Sequence, residues 1–135
     1  MKWWLPALLF LSVASPVLAV TITTSGVPTS ISDESFTISV SVSGPNPGTN
    51  YLRIDLYKDD TAKSFGETYN GSDWTSDSNG KNYFPITIDA SKSSSIQLMG
   101  KLGNPSSTEY SGPGDYKLRI RRYTSSGSSA ASTDD

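Results

Sequence analysis

The sequence predicts an all-β protein, a two-sheet sandwich of about seven short strands. Three observations carry this. Beyond residue 19, apolar residues recur at every second position in run after run. Clusters of Gly, Pro and Asn separate those runs. No stretch beyond residue 19 carries a helical apolar stripe longer than two turns. Strands with one apolar face each must cover one another, and two packed sheets are the usual solution.

The first run is Val20 to Thr24. Ser35 to Ser43 is the clearest: Phe36, Ile38, Val40 and Val42 face one way and small hydroxyls the other. Asn50 to Lys58 repeats the pattern, with Leu52, Ile54 and Leu56 inward and Arg53, Asp55 and Tyr57 outward. Lys63 to Tyr69 is a weaker run. Tyr83 to Asp89 aligns Phe84, Ile86 and Ile88, and Ser95 to Leu102 aligns Ile96, Leu98 and Leu102. Asp115 to Thr124 sets Tyr116, Leu118 and Ile120 against Lys117, Arg119 and Arg121. Between the runs lie Gly44-Pro45-Asn46-Pro47-Gly48, Asn70-Gly71, Ser78-Asn79-Gly80 and Gly112-Pro113-Gly114. These residues supply positive φ, a fixed φ, or a side chain that bonds its own backbone.

Lettered as a Greek-key sandwich, the runs become A (20–24), B (35–43), C (50–58), C′ (63–69), D (83–89), E (95–102) and F (115–124). Tyr116 then falls at the E–F corner, with the phase to bond upstream backbone through its hydroxyl while its ring fills the core edge. In this the chain resembles immunoglobulin-like and fibronectin-type-III-like β-sandwich modules of secreted or surface proteins of uncultivated environmental bacteria. The residues that carry the resemblance are Glu109 to Gly127, with Tyr51 to Tyr57, Phe65-Gly66 and Trp74 compatible with it. It covers most of residues 20–127, and it implies a fold and an exported setting but no substrate.

Such a sandwich ends on a G strand beside F. Residues 125–135, Ser125 to Asp135, are polar and low in complexity, so they read as a tail or linker. The final edge strand is therefore expected to be weak or missing, with Ala130-Ala131 as its only material. The expectation is a chain that continues beyond Asp135 into downstream domains, with an open F edge inviting strand addition.

The N-terminus predicts export. Met1-Lys2 gives a positive start, Trp3 to Val13 an apolar run, and Ala14 to Ala19 a small-residue cleavage region. A signal-peptide helix over 1–19 is expected, cut between Ala19 and Val20, leaving a sandwich over 20–124 with no stable membrane span. The localisation that follows is secreted, extracellular or cell-surface.

Composition narrows the function. The chain has no His and no Cys, which removes the commonest general base, thiol chemistry and disulfides. Exported yet cysteine-free, it tilts toward a prokaryotic source. Eleven basic and thirteen acidic residues give a net charge of −2, without the basic excess of nucleic-acid binding. No phosphate loop or Gly-x-Ser-x-Gly occurs, and Asp59-Asp60 is an ordinary strand-end acid pair. No enzyme and no cofactor is expected.

Four features remain as candidates. Asp73, Asp77, Asn79 and Asn82 have the oxygen-rich spacing of Ca²⁺ loops but lack the further acids, so a solvated Asx-rich turn is the favoured reading. Tyr69, Trp74 and Tyr83 can form an aromatic platform for a glycan. Lys117, Arg119 and Arg121 form a basic row, expected to pair with Asp55 across the strands. Asn70-Gly71-Ser72 is an N-glycosylation triplet. The expected function is a non-catalytic structural or adhesive module. The alternative is a recognition module for a protein or glycan partner at the cell surface, working near Trp74 or along the last strand.

Overall fold

The computed structural model describes residues 20–44, 47–58, 65–89, 93–103, 105–106, 110 and 112–134. The signal segment 1–19, Ala19 at its boundary and Asp59-Asp60 lie outside them. The described chain is all-β, in two antiparallel sheets. Its strands are β1 (Thr21–Ser25), β2 (Phe36–Ser43), β3 (Gly48–Tyr57), β4 (Glu67–Tyr69) and β5 (Trp74–Thr75), followed by β6 (Phe84–Ile88), β7 (Ser93–Lys101), β8 (Lys117–Tyr123) and β9 (Ser129–Asp134). One sheet runs β1-β2-β7-β4-β5, the other β6-β3-β8-β9. Among the described residues no helix is long and apolar enough to cross a membrane.

The period-two pattern places the core. Ile38, Val40, Val42 and Leu98 from one sheet meet Leu52, Ile54, Leu56, Ile86, Ile88, Leu118 and Ile120 from the other, all buried. Phe36, Phe84, Ile96 and Tyr116 pack against this cluster from its margins. Val20, the first residue after the expected cleavage point, does the same. Each buried Leu or Ile contributes roughly 1.5–3 kcal/mol by leaving water.

Two expectations are corrected. Residues 125–134 are not a featureless tail, because β9 pairs antiparallel with β8 from Arg119↔Asp134 to Tyr123↔Ser129. A strand of Ser, Ala and Thr needs no apolar alternation when it stands at a sheet edge and its ladder partner supplies the hydrogen bonds. The turn that delivers it is closed by Gly127 N–H to Thr124 O (2.8 Å) and Thr124 N–H to Ser128 O (2.9 Å).

The second concerns the lettering, which in immunoglobulin-like sandwiches sets C′ in the sheet of C and D in the sheet of E. The segment lettered C′ contributes β4 to the sheet of β7, while the segment lettered D, now β6, pairs with β3. Phe65 first bridges Leu56 of β3, with hydrogen bonds of 2.8 and 2.9 Å in both directions. The chain then crosses to the other sheet at Gly66, whose φ is +107°. A Cβ there would come within 3.3 Å of both the Leu56 side chain and the Lys101 carbonyl. Only glycine fits both the conformation and the gap.

That crossing completes the hydrogen bonding of β3 on its β6 side. β6 pairs with β3 as far as Leu52↔Phe84. Beyond it, Ile54 N–H donates to the buried Thr68 hydroxyl (2.9 Å), which in turn donates to Ile54 O (3.4 Å). Phe65 then serves Leu56. Buried backbone groups are thus satisfied by a ladder, a side chain and a bridge in succession.

Candidate functional site

A group of polar and aromatic side chains lies on the outer face of the β6-β3-β8-β9 sheet. Period two puts Arg53, Asp55 and Tyr57 of β3 on that face, with Lys117, Arg119, Arg121 and Tyr123 opposite on β8. Asp55 has no exposed surface. Its two carboxylate oxygens form ion pairs with Arg53 Nε and Arg121 Nε. Arg53 also lies over the Tyr83 ring, 5.0 Å from its centroid, and Arg119 over Tyr57 at 4.7 Å. Burial works against the charge on Arg53, but Asp55 and the Tyr123 hydroxyl more than offset it, so its pKa is raised.

A cover explains the burial of Asp55 and Tyr123 on this face. The chain from Asp77 to Tyr83 includes a 3₁₀ turn, Gly80–Asn82, capped by the Asn79 side chain accepting from Lys81 N–H. Tyr83 is 1 % exposed and stacks on Tyr123 with centroids 5.6 Å apart and planes 7° from parallel. Its hydroxyl donates to Asp77 O at 2.5 Å. Burial pushes this phenol well above its ordinary value. Gly80 sits so close to the stack that a Cβ would lie 2.5 Å from the Tyr123 ring and 2.6 Å from Gly127 O.

The Asx residues belong to this cover. Asp77 accepts from Asn79 N–H (2.8 Å) and from the Asn82 amide (2.5 Å). Asn70 accepts from Ser72 and Asp73 N–H and donates its amide to Asn82 O at 2.7 Å. The oxygens of Asp77 and Asn79 proposed for Ca²⁺ therefore serve as turn acceptors. The glycosylation triplet likewise has its amide nitrogen engaged. Among the described residues no group of three or more acidic side chains is placed to hold a metal ion.

The aromatic platform separates into two parts. Tyr83 belongs to the buried stack, so it does not join Tyr69 and Trp74. Those two pair at the edge of the other sheet, 5.4 Å apart and tilted by 49°. Lys101 Nζ lies 4.4 Å above the Trp74 ring and 3.3 Å from Glu67 Oε2. Tyr69 and Trp74 are each half-buried.

Tyr116 Oη donates to Gly112 O at 2.6 Å, four residues upstream, and its ring meets Phe65 edge-on with centroids 5.4 Å apart. Lys58 Nζ caps the same ring at 4.5 Å. A shallow cleft of about 320 Å³ lies here between Lys58, Asp115, Tyr116 and Lys117.

Comparison with protein-family models, with curated proteins and with solved structures finds no match to this chain. The reading of its function rests on this geometry.

Sequence reasoning placed Asp55 beside the basic row but missed Arg53 as a further partner, and it set Asp55 outward with no cover over it. The missed signal was Gly80. A glycine beside Asn79, three residues before a tyrosine, marks a close backbone approach as well as a turn. Arg122 was also unforeseen. It points to the core side, buried, bonded through Nη1 to Asn50 Oδ1 at 2.6 Å, and burial lowers its pKa.

Proposed function

We propose that this chain is a non-catalytic structural module of an exported protein, a β-sandwich of immunoglobulin-like kind that carries or spaces other parts. One observation supports this above the rest. The side chains with site-forming chemistry on the covered face are locked to each other, with Asp55 between two arginines and Tyr83 stacked, hydrogen-bonded and sealed. Such an arrangement resists deformation of a sheet and commits Arg53, Asp55 and Tyr83 to one another. The Tyr116 hydroxyl bond supports the immunoglobulin-like part, while the exchange of β4 and β6 between sheets sets this sandwich apart from the lettered order. The apolar, small-residue pattern of positions 1–19 supports export.

A second reading, recognition of a glycan, has one specific observation behind it. Tyr69 and Trp74 present partly exposed rings at a sheet edge, with Lys101 and Glu67 beside them. Sugars stack on such rings, although Lys101 already occupies one face of Trp74.

A glycan array probed with the purified protein tests both. The structural reading expects no saturable signal. A signal that disappears in Trp74→Ala, with unchanged thermal unfolding, overturns it in favour of recognition.

A further inference from the structure

The two sheets differ in how their interior edges are completed. The β6 side of β3 has partners at every stage, from β6 through Thr68 to Phe65. Among the described residues, the corresponding side of β7 does not. β2 lines one flank of β7 from Gly100 to Ser93, but on the other flank β4 pairs only with Lys101 and Gly100. Among the described residues, no backbone hydrogen bond reaches Ser94 to Met99 from that flank. The stretch Ser94-Ser95-Ile96-Gln97-Leu98-Met99 carries no charge and no proline. Those are the devices that normally blunt such an edge. Beside it, two inner-face residues stay only partly covered: Ile96 on β7, and Phe84 on β6, the strand of the opposite sheet that touches β7.

We propose that this flank is a strand-acceptor site for an extended, uncharged segment of a different polypeptide. The inference goes beyond the structural role proposed above. Unpaired N–H and C=O groups along an open strand bind a peptide backbone, and the partly covered Ile96 and Phe84 give its inward side chains an apolar seat. The geometry favours a lone strand over a second folded copy. At one end β4 and β5 extend the sheet by two strands, roughly 10 Å beyond β7. The open stretch is therefore recessed behind that hairpin, and a slender segment enters where the edge of another sandwich meets the hairpin first. Neutrality is matched by neutrality, since a charged segment would leave its charges beside Ile96 and Leu98.

The test uses the purified protein and the synthetic peptide acetyl-Thr-Val-Thr-Val-Thr-Val-amide, with its backbone N-methylated analogue as control. The expected result is saturable binding with hydrogen exchange slowed about tenfold within Ser94–Met99, and no binding of the analogue. Gln97→Lys lies on the outer face and should keep the fold. It should bind a peptide with Glu at its centre several-fold better than one with Lys there, as directly opposed side chains do. The proposal is overturned by the absence of binding up to millimolar peptide, by equal binding of the N-methylated analogue, or by protection confined to another strand. Concentration-dependent self-association that protects Ser94–Met99 without peptide overturns it too, because the occupant is then a second copy.

Discussion

Arg53 stands directly opposite Arg121 across the β3–β8 ladder, and Asp55, two residues along β3, binds both. Like charges in opposed positions destabilise a sheet. Here the carboxylate turns that repulsion into a clamp holding two strands together under the cover of Tyr83.

Replacing Asp55 tests the clamp. In Asp55→Asn the two guanidinium groups keep their places without the charge that offsets them. Removing one member of a buried ionic group costs about 3–5 kcal/mol. Urea unfolding should show a loss near 3 kcal/mol, and Asp55→Lys a larger one. A loss below about 1 kcal/mol, the range of exposed pairs, would mean the group is solvated and carries little.

Gly80→Ala tests the cover. The added methyl would fall within 2.6 Å of the Tyr123 ring and of the Gly127 carbonyl, and the carbonyl belongs to backbone that cannot swing away. Overpacking of this kind costs roughly 1–3 kcal/mol. Thermal unfolding should fall accordingly, with near-ultraviolet circular dichroism of the stacked tyrosines altered. An unchanged spectrum would show that the turn does not sit against the stack.

The Tyr116 hydroxyl offers a smaller effect. Tyr116→Phe keeps the edge-on contact with Phe65 and deletes only the 2.6 Å bond to Gly112 O. A loss of about 1 kcal/mol in urea unfolding is expected. A neutral result would mean that water replaces the tyrosine without penalty.

What the sequence disclosed follows from where information resides in a strand. Ile38, Val40, Val42, Leu52, Ile54, Leu56, Leu118 and Ile120 occupy one face because period two is set by backbone geometry, so their burial was legible. Pairing partners are not encoded that way. Nothing in segments 67–69 and 84–88 names the strand each will pair with, and their exchange between sheets depends on Gly66 threading between Leu56 and Lys101, a contact between residues far apart in sequence. β9 was legible only as a weak or missing edge strand around Ala130-Ala131, because a strand of Ser, Ala and Thr has no apolar face to announce it. At the candidate site, Asp55 was legible as an ion-pair partner from its place in β3. Its complete burial was not, because the covering turn arrives from more than twenty residues downstream.

The buried phenol of Tyr83 makes stability depend on alkaline pH. Burial disfavours the ionised form, so its pKa in the folded protein lies above the value of about 10 that it takes when unfolded. Below pH 10 both states hold the proton, and the group's contribution to stability is fully present. As pH rises beyond 10 the unfolded state ionises first, and the contribution is lost progressively through the folded-state pKa. Urea midpoints measured from pH 8 to 11.5 should be level on this account up to about 10 and then decline. Tyr83→Phe, less stable at pH 8 for want of the bond to Asp77 O, should decline less steeply above pH 10. Absorbance at 295 nm provides the independent check, with Tyr83 resisting ionisation until the fold opens. If that resistant tyrosine persists in Tyr83→Phe, the protected phenol is another residue and the stack is wetter than its geometry implies.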